Sequence, residues 1–129
     1  MTNEAIAFME QHQNEPFFLN YWAFSVHSPF EARPDLVQKY AKRAHPANAQ
    51  RSPVYAAMVE HFDSNVGKLL AALERLGLRE RTVIVFTSDN GGACMPGSPQ
   101  KRPTSNHPLP ATHARNPPLI TIYPPRRQE

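Results

Sequence analysis

Two short, almost wholly apolar runs stand on either side of one long amphipathic pattern, and few folds can absorb that arrangement. The first run, Phe17-Phe18-Leu19-Asn20-Tyr21-Trp22-Ala23-Phe24-Ser25-Val26, is nearly continuous and rich in aromatics. It suits a strand buried on both faces, as in a parallel sheet covered by helices. The second, Thr82-Val83-Ile84-Val85-Phe86-Thr87, is β-branched and apolar through its centre. Between them Tyr55, Met58, Phe62, Val66, Leu69, Leu73 and Leu76 recur at spacings of three and four, which makes one helical stripe. Ser52 can cap that helix and Pro53 suits its first position. Gly77 can take the left-handed turn that ends it, with Leu78 folding back on the last turn. Strand, helix and strand in that order predict a right-handed βαβ crossover with parallel, neighbouring strands. The expected fold class is therefore α/β.

The remaining chain is read around this unit. Thr2 is expected to cap a helix over about residues 3–12, with Ile6 and Met9 on one face, and Asn14-Glu15-Pro16 breaks it. Residues 28–52 read as irregular, with a short helix over about 34–43. Nine of the fourteen prolines lie between residues 95 and 129, so that stretch is expected to be loop apart from Leu119-Ile120-Thr121-Ile122-Tyr123. The domain division is thus 1–94 as the folded part and 95–129 as a Pro-rich basic tail. Two parallel strands alone leave both edges unpaired, so homo-oligomers or self-association through strand edges are expected.

Charge excludes more than it assigns. The net charge is +3 and the pI is about 9.3, but residues 1–94 hold nine Lys/Arg against ten Asp/Glu. The excess belongs to the tail, where Tyr123 is the only aromatic residue. A nucleic-acid platform would interleave bases with aromatic rings, so no nucleic-acid partner is expected. No apolar run is long enough for a transmembrane helix, so no membrane partner is expected. The first residues carry Glu4 and Glu10 and no basic start, unlike a secretory signal. Cys94 is the only cysteine, so no internal disulfide can form and the compartment is not legible.

In sheets of this kind ligands gather at the carboxyl ends of the strands. There the chain places His27-Ser28-Pro29 after the first run and Ser88-Asp89-Asn90-Gly91-Gly92 after the second. Asp89 and Asn90 offer hard oxygen donors suited to calcium or magnesium; the same string is also a favourable strand-ending turn. His27 alone reads equally as a structural histidine. Pairing of the two strands would bring it to the same rim as Asp89. His12, His45 and His61 sit on exposed helical or loop positions with no assigned role, and His107 and His113 lack partners for a zinc set. Ser98-Pro99-Gln100-Lys101 follows Ser88-Asp89-Asn90, the reverse of the order in penicillin-recognising enzymes.

Taken together, the motifs resemble the sulfatase family. Glu15-Pro16-Phe17-Phe18-Leu19 followed by Val26-His27-Ser28-Pro29 is similar to its "PFFL" strand ending in "HxP". Ala57-Met58-Val59-Glu60-His61-Phe62-Asp63 with Val66-Gly67 is similar to its next helix. The run Arg81 to Gly92 resembles its "nTivvFtSDNGG" block, and Thr104-Ser105-Asn106 with Pro108-Leu109 its "TSNxPLR" string. The order and spacing are kept, which makes the set specific.

The resemblance implies a fragment of an alkaline-phosphatase-like α/β sandwich, hydrolysis of sulfate esters, and a sulfated small molecule or glycan as substrate. It implies His27 as the catalytic histidine beside the sulfate, and Asp89 and Asn90 as ligands of a divalent cation, most often calcium. The family's formylglycine nucleophile arises in "CxPSR", and no such string occurs in these 129 residues. Cys94-Met95-Pro96-Gly97-Ser98 lacks the arginine and follows the SDNG block instead of preceding it. The motif similarity ends at Leu109, and residues 110–129 read as an out-of-frame or replaced end. The alternative to an active sulfatase is a catalytically inactive remnant or subunit of one.

Overall fold

A computed structural model of the chain describes residues 1–45, 52–89, 91–92, 104 and 120–123. The helices form where the periodicity places them. α1 spans Thr2–Gln11, α2 Pro34–Ala41 and α3 Pro53–Arg75. All seven members of the α3 stripe are buried or half-buried, and Ala57 and Ala72 join them. Those two alanines are too small to register in a hydrophobic pattern, yet they let neighbouring elements approach.

Both ends of α3 are held by local hydrogen bonds. The Ser52 hydroxyl accepts from the backbone N–H of Tyr55 at 3.2 Å, with Pro53 at the first position. At the other end Gly77 adopts φ 65°. Its N–H donates to the Glu74 carbonyl at 3.1 Å, and the Leu78 N–H donates to the Leu73 carbonyl at 2.9 Å. This is the two-bond Schellman closure, and its apolar contact is made by Leu78 packing beside Leu73. At the start of α1 the outcome differs from expectation. Met1, not Thr2, occupies the cap position, and no side chain caps the helix. The Thr2 hydroxyl instead lies 2.8 Å from that of Tyr21.

The core is small. Met9, Ala72, Leu73 and Leu78 form its buried centre, with Ile6, Phe17, Leu19, Leu69, Leu76 and Ile84 packed around it. α1 and α3 thus make one helical layer, and the two apolar runs lie across it. α2 docks on α3 through Lys39, whose ammonium donates to both Glu60 carboxylate oxygens at 2.7 Å. Tyr40 also hydrogen-bonds Glu60, and the Arg43 guanidinium sits over the Tyr40 ring at 5.9 Å.

The sheet corrects the expected parallel pairing. β1, Ile84–Thr87, pairs with β2, Ile120–Tyr123, and the ladder is antiparallel. Its register sets Val85 opposite Ile122. Residues 17–24 are extended and alternate between half-buried and exposed, but they form no strand ladder with β1. Phe17 to Ala23 make no backbone–backbone hydrogen bond among the described residues. The physical reason is that apolar alternation determines which face of a segment is buried, not which neighbour takes its backbone groups. Part of the Pro-rich stretch therefore supplies a strand; the rest of 95–129, Thr104 aside, lies outside the described residues.

Candidate active site

Although they do not pair, the two extended segments run the same way across the helical layer. The Phe17 ring meets Phe8 edge-on at 5.6 Å, and Tyr21 reaches Thr2, so this segment retraces α1 from its second half to its start. α1 and α3 are parallel: Glu10 and Arg75 pair at 2.6 Å near their carboxyl ends, and Thr2 shares a cavity with His61, Asn65 and Lys68 of α3. β1 begins in the core beside Leu73 and Leu78 and advances until Phe86 stands 6.1 Å from Phe62. Both segments therefore run opposite to α1 and α3. The first delivers Ser25 to the cavity beside His61, and the second delivers Phe86 to Phe62. His27 and Asp89 follow two and three residues after these points.

The loop that carries His27 is locally organised. The His27 N–H donates to the Phe24 carbonyl at 3.0 Å. Nδ1 of the ring lies 2.9 Å from the Ser28 carbonyl and 3.3 Å from the Ser28 hydroxyl. A carbonyl only accepts, so Nδ1 carries the proton and donates. That leaves Nε2 as the ring atom presented outward. Ser25–Val26 and Ser28–Pro29 are cis peptide bonds. His27 is exposed, as is Asp89. Asn90 lies outside the described residues.

Calcium takes six to eight oxygen ligands. Among the described residues no three His, Cys, Asp or Glu side chains come together as a metal site. Asp89 supplies one carboxylate, so the described residues do not by themselves fit a bound ion.

The cavities lie beside these residues rather than around them. One, of about 430 Å³, is walled by Thr2, Tyr21, Ser25, His61, Asn65 and Lys68. A second, of about 360 Å³, shares Ser25 and His61 and adds Glu31, Arg33 and Met58. Neither His27 nor Asp89 is among the described residues lining them. The sequence reading assigned His61 no role. Yet His61, Asn65 and Lys68 stand at i, i+4 and i+7, a spacing that marks one polar edge of a helix. The Asn65 amide lies 3.3 Å from Nε2 of His61. Asp63, between them, faces solvent.

Among the described residues no helix is long and apolar enough to cross a membrane.

Comparison with known proteins bears on the same residues. The Sulfatase family model matches residues 1–127, so the match runs past Leu109 and through β2. The expected end of the similarity at Leu109 is thus corrected. Arylsulfatase H of Homo sapiens is 37% identical over 98 residues, covering 74% of this chain and 15% of its own. N-acetylgalactosamine-6-sulfatase of Mus musculus is 39% identical over 95 residues, covering 71% of this chain and 16% of its own. The crystal structure of Ps i-CgsB in complex with k-i-k-neocarrahexaose superposes with a TM-score of 0.78 at 29% identity, over 97% of this chain and 27% of that one. The chain thus spans about one sixth of the length of these curated relatives. Its fold is the alkaline-phosphatase-like α/β fold implied by those neighbours. With a family match over nearly its whole length, the chain belongs to the Sulfatase family.

Proposed function

We propose that this chain carries the leaving-group side of a sulfate ester hydrolase site. The observation that supports the reading most directly is the shared direction of residues 17–24 and β1. It brings Ser25 to the cavity beside His61 and Phe86 to Phe62, two and three residues before His27 and Asp89. In this reading His27 is the general acid. Its Nδ1–H is committed to the Ser28 carbonyl, so a proton on Nε2 can pass to the alcohol oxygen as the S–O bond breaks. Proton transfer of this kind is worth about 10²–10⁴-fold in rate.

Asp89 and Asn90 serve as two oxygen donors for a divalent cation, calcium by their hardness. A bound dication would offset the charge of the sulfate. The substrate is a sulfated small molecule or glycan. The relatives named for N-acetylgalactosamine-6-sulfate chemistry and the neighbour holding k-i-k-neocarrahexaose favour a sugar.

The second reading is a catalytically inactive remnant or subunit. Its support is that these 129 residues contain no Cys-x-Pro-Ser-Arg string, so this stretch taken alone does not supply the family's formylglycine. One experiment separates the two. Residues of this chain replace the aligned segment of the mouse N-acetylgalactosamine-6-sulfatase, and turnover of a sulfated galactosamine substrate is measured. The first reading expects activity in the exchange, and a loss of about 10²-fold or more in kcat with His27→Ala. Activity within threefold of the parent exchange after His27→Ala would remove the catalytic role.

A further inference from the structure

The loop that carries His27 is laid along α3 and touches it on both sides of the histidine. Before it, Ser25 and His61 share the walls of both cavities. After it, the Phe30 ring meets Tyr55 edge-on, with centroids 5.8 Å apart and planes at 76°. Glu31, Ala32 and Arg33 follow beside Met58, and the chain then enters α2, whose Lys39 closes on Glu60. Tyr55, Met58 and His61 are spaced by three, so each is the next one's neighbour on the helix surface. Tyr55 and His61 stand about 9 Å apart along the helix axis. The chain from Ser25 to Phe30 could reach about 17 Å if extended. It therefore has slack between its two contacts and arches, and His27 and Ser28 form the arch. The His27 N–H bond to the Phe24 carbonyl, at 3.0 Å, closes its first turn.

An arch of this kind does not orient a ring unaided. Nδ1 of His27 donates to the carbonyl of the very next residue, Ser28, at 2.9 Å. A bond between such close neighbours forms in few backbone conformations, and holding the chain in one of them costs entropy. The hydrogen bond made by one ring nitrogen sets the tautomer, and with it what the other nitrogen can do. For that bond to last, the far foot of the arch has to be fixed. Phe30 is the largest apolar side chain from Ser25 to Arg33, and it is half-buried. Its partner Tyr55 is itself held in the first turn of α3, where its N–H donates to the Ser52 hydroxyl.

We propose that Tyr55, acting through Phe30, is a positioning residue for His27. The edge contact pins the arch, keeps the Ser28 carbonyl on Nδ1–H and so presents Nε2 to a leaving alcohol. The catalytic consequence rests on the hydrolase reading; the effect on the tautomer does not.

Nitrogen-15 correlation spectra of the 129-residue chain at about pH 8, where an ordinary imidazole is neutral, read the ratio of the two tautomers. His27 is identified by the signals lost in His27→Ala. The parent chain is expected to carry the proton on Nδ1. Tyr55→Leu and Phe30→Leu remove the edge contact from its two sides. Each should lower the ratio of Nδ1–H to Nε2–H by about 2- to 12-fold, the range that such a contact is worth. Tyr55→Phe keeps the ring and should keep the ratio. So should Gly77→Ala, which weakens the other end of α3 without touching the arch and thus separates positioning from general stability. In the exchange into the mouse N-acetylgalactosamine-6-sulfatase, Tyr55→Leu should lower kcat by a similar factor and leave KM unchanged. A ratio unchanged in both leucine variants overturns the proposal. So does an Nε2–H tautomer in the parent chain, or an equal loss in Gly77→Ala. A ratio that shifts as expected while the exchange is inactive supports the positioning and counts against the hydrolase reading alone.

Discussion

The ring of Phe86 stands 6.1 Å from that of Phe62, tilted by 35°, one residue along α3 from the His61 that lines the cavity beside Ser25. This contact ties the end of β1 to the first half of α3, where the other extended segment also arrives. Aromatic pairs of this kind are worth about 0.5–1.5 kcal/mol beyond their buried area. Phe62→Ala should therefore lower unfolding stability by about 2 kcal/mol. Combining it with Phe86→Ala should cost less than the sum of the two single changes, because each removes the same contact. Chemical denaturation of the four chains in a mutant cycle measures this. Strict additivity would mean that the two rings do not hold the strand end.

The two glycines of the α3 region should respond oppositely to the same substitution. Gly77 sits at φ 65° with open space around it, so Gly77→Ala meets no clash but forces an L-residue into the left-handed region. The cost is about 1 kcal/mol. Gly67 lies within the helix, and no atom stands within 4 Å of an added Cβ. Gly67→Ala should raise stability by about 0.5–1 kcal/mol. Thermal melts of both variants against the parent chain decide it, and equal shifts of one sign would refute the assignment.

The clasp between α2 and α3 should work within a window of pH. Lys39 and then Tyr40 hold the Glu60 carboxyl below its ordinary value of 4.5. A carboxyl lowered on folding adds stability above its unfolded value, and that stability is lost as pH falls through the folded one. Glu60, in turn, pushes the Tyr40 phenol above its ordinary value of 10.0. A phenol raised on folding adds stability below its unfolded value, lost as pH rises through the folded one. Stability should thus fall both below about pH 4.5 and above about pH 10. Glu60→Gln should flatten the share of both flanks that the clasp supplies. An unchanged pH profile in that variant would count against the link.

The purified 129-residue chain should release no product from a generic aryl sulfate above the level of its His27→Ala form, since no Cys-x-Pro-Ser-Arg string is present. His27 is exposed, so the substitution should leave the melting temperature within a degree or two. A steady-state assay with both proteins checks this. Turnover that depends on His27 would show that these residues hold an acceptor of their own.

Much of the architecture was legible before any coordinates. Ser52-Pro53 and Gly77-Leu78 bracket α3, and these signals act within a few residues of where they stand, through one hydroxyl and one left-handed turn. The stripe from Tyr55 to Leu76 is equally local, because helical periodicity depends on the helix alone. The motif set from Pro16 to Leu109 is a property of the string itself, and it pointed to the family that residues 1–127 match.

What the tertiary structure decided were the pairings between distant groups. β1 takes Ile120–Tyr123 as its antiparallel neighbour instead of residues 17–24. Thr2 bonds Tyr21 across nineteen positions rather than capping its helix, and Lys39 finds Glu60. An apolar β-branched segment can pair with several others at similar energy, and a hydroxyl or ammonium can serve many partners. The choice among them is made by how the helical layer closes the chain around its core, which no single stretch of residues encodes.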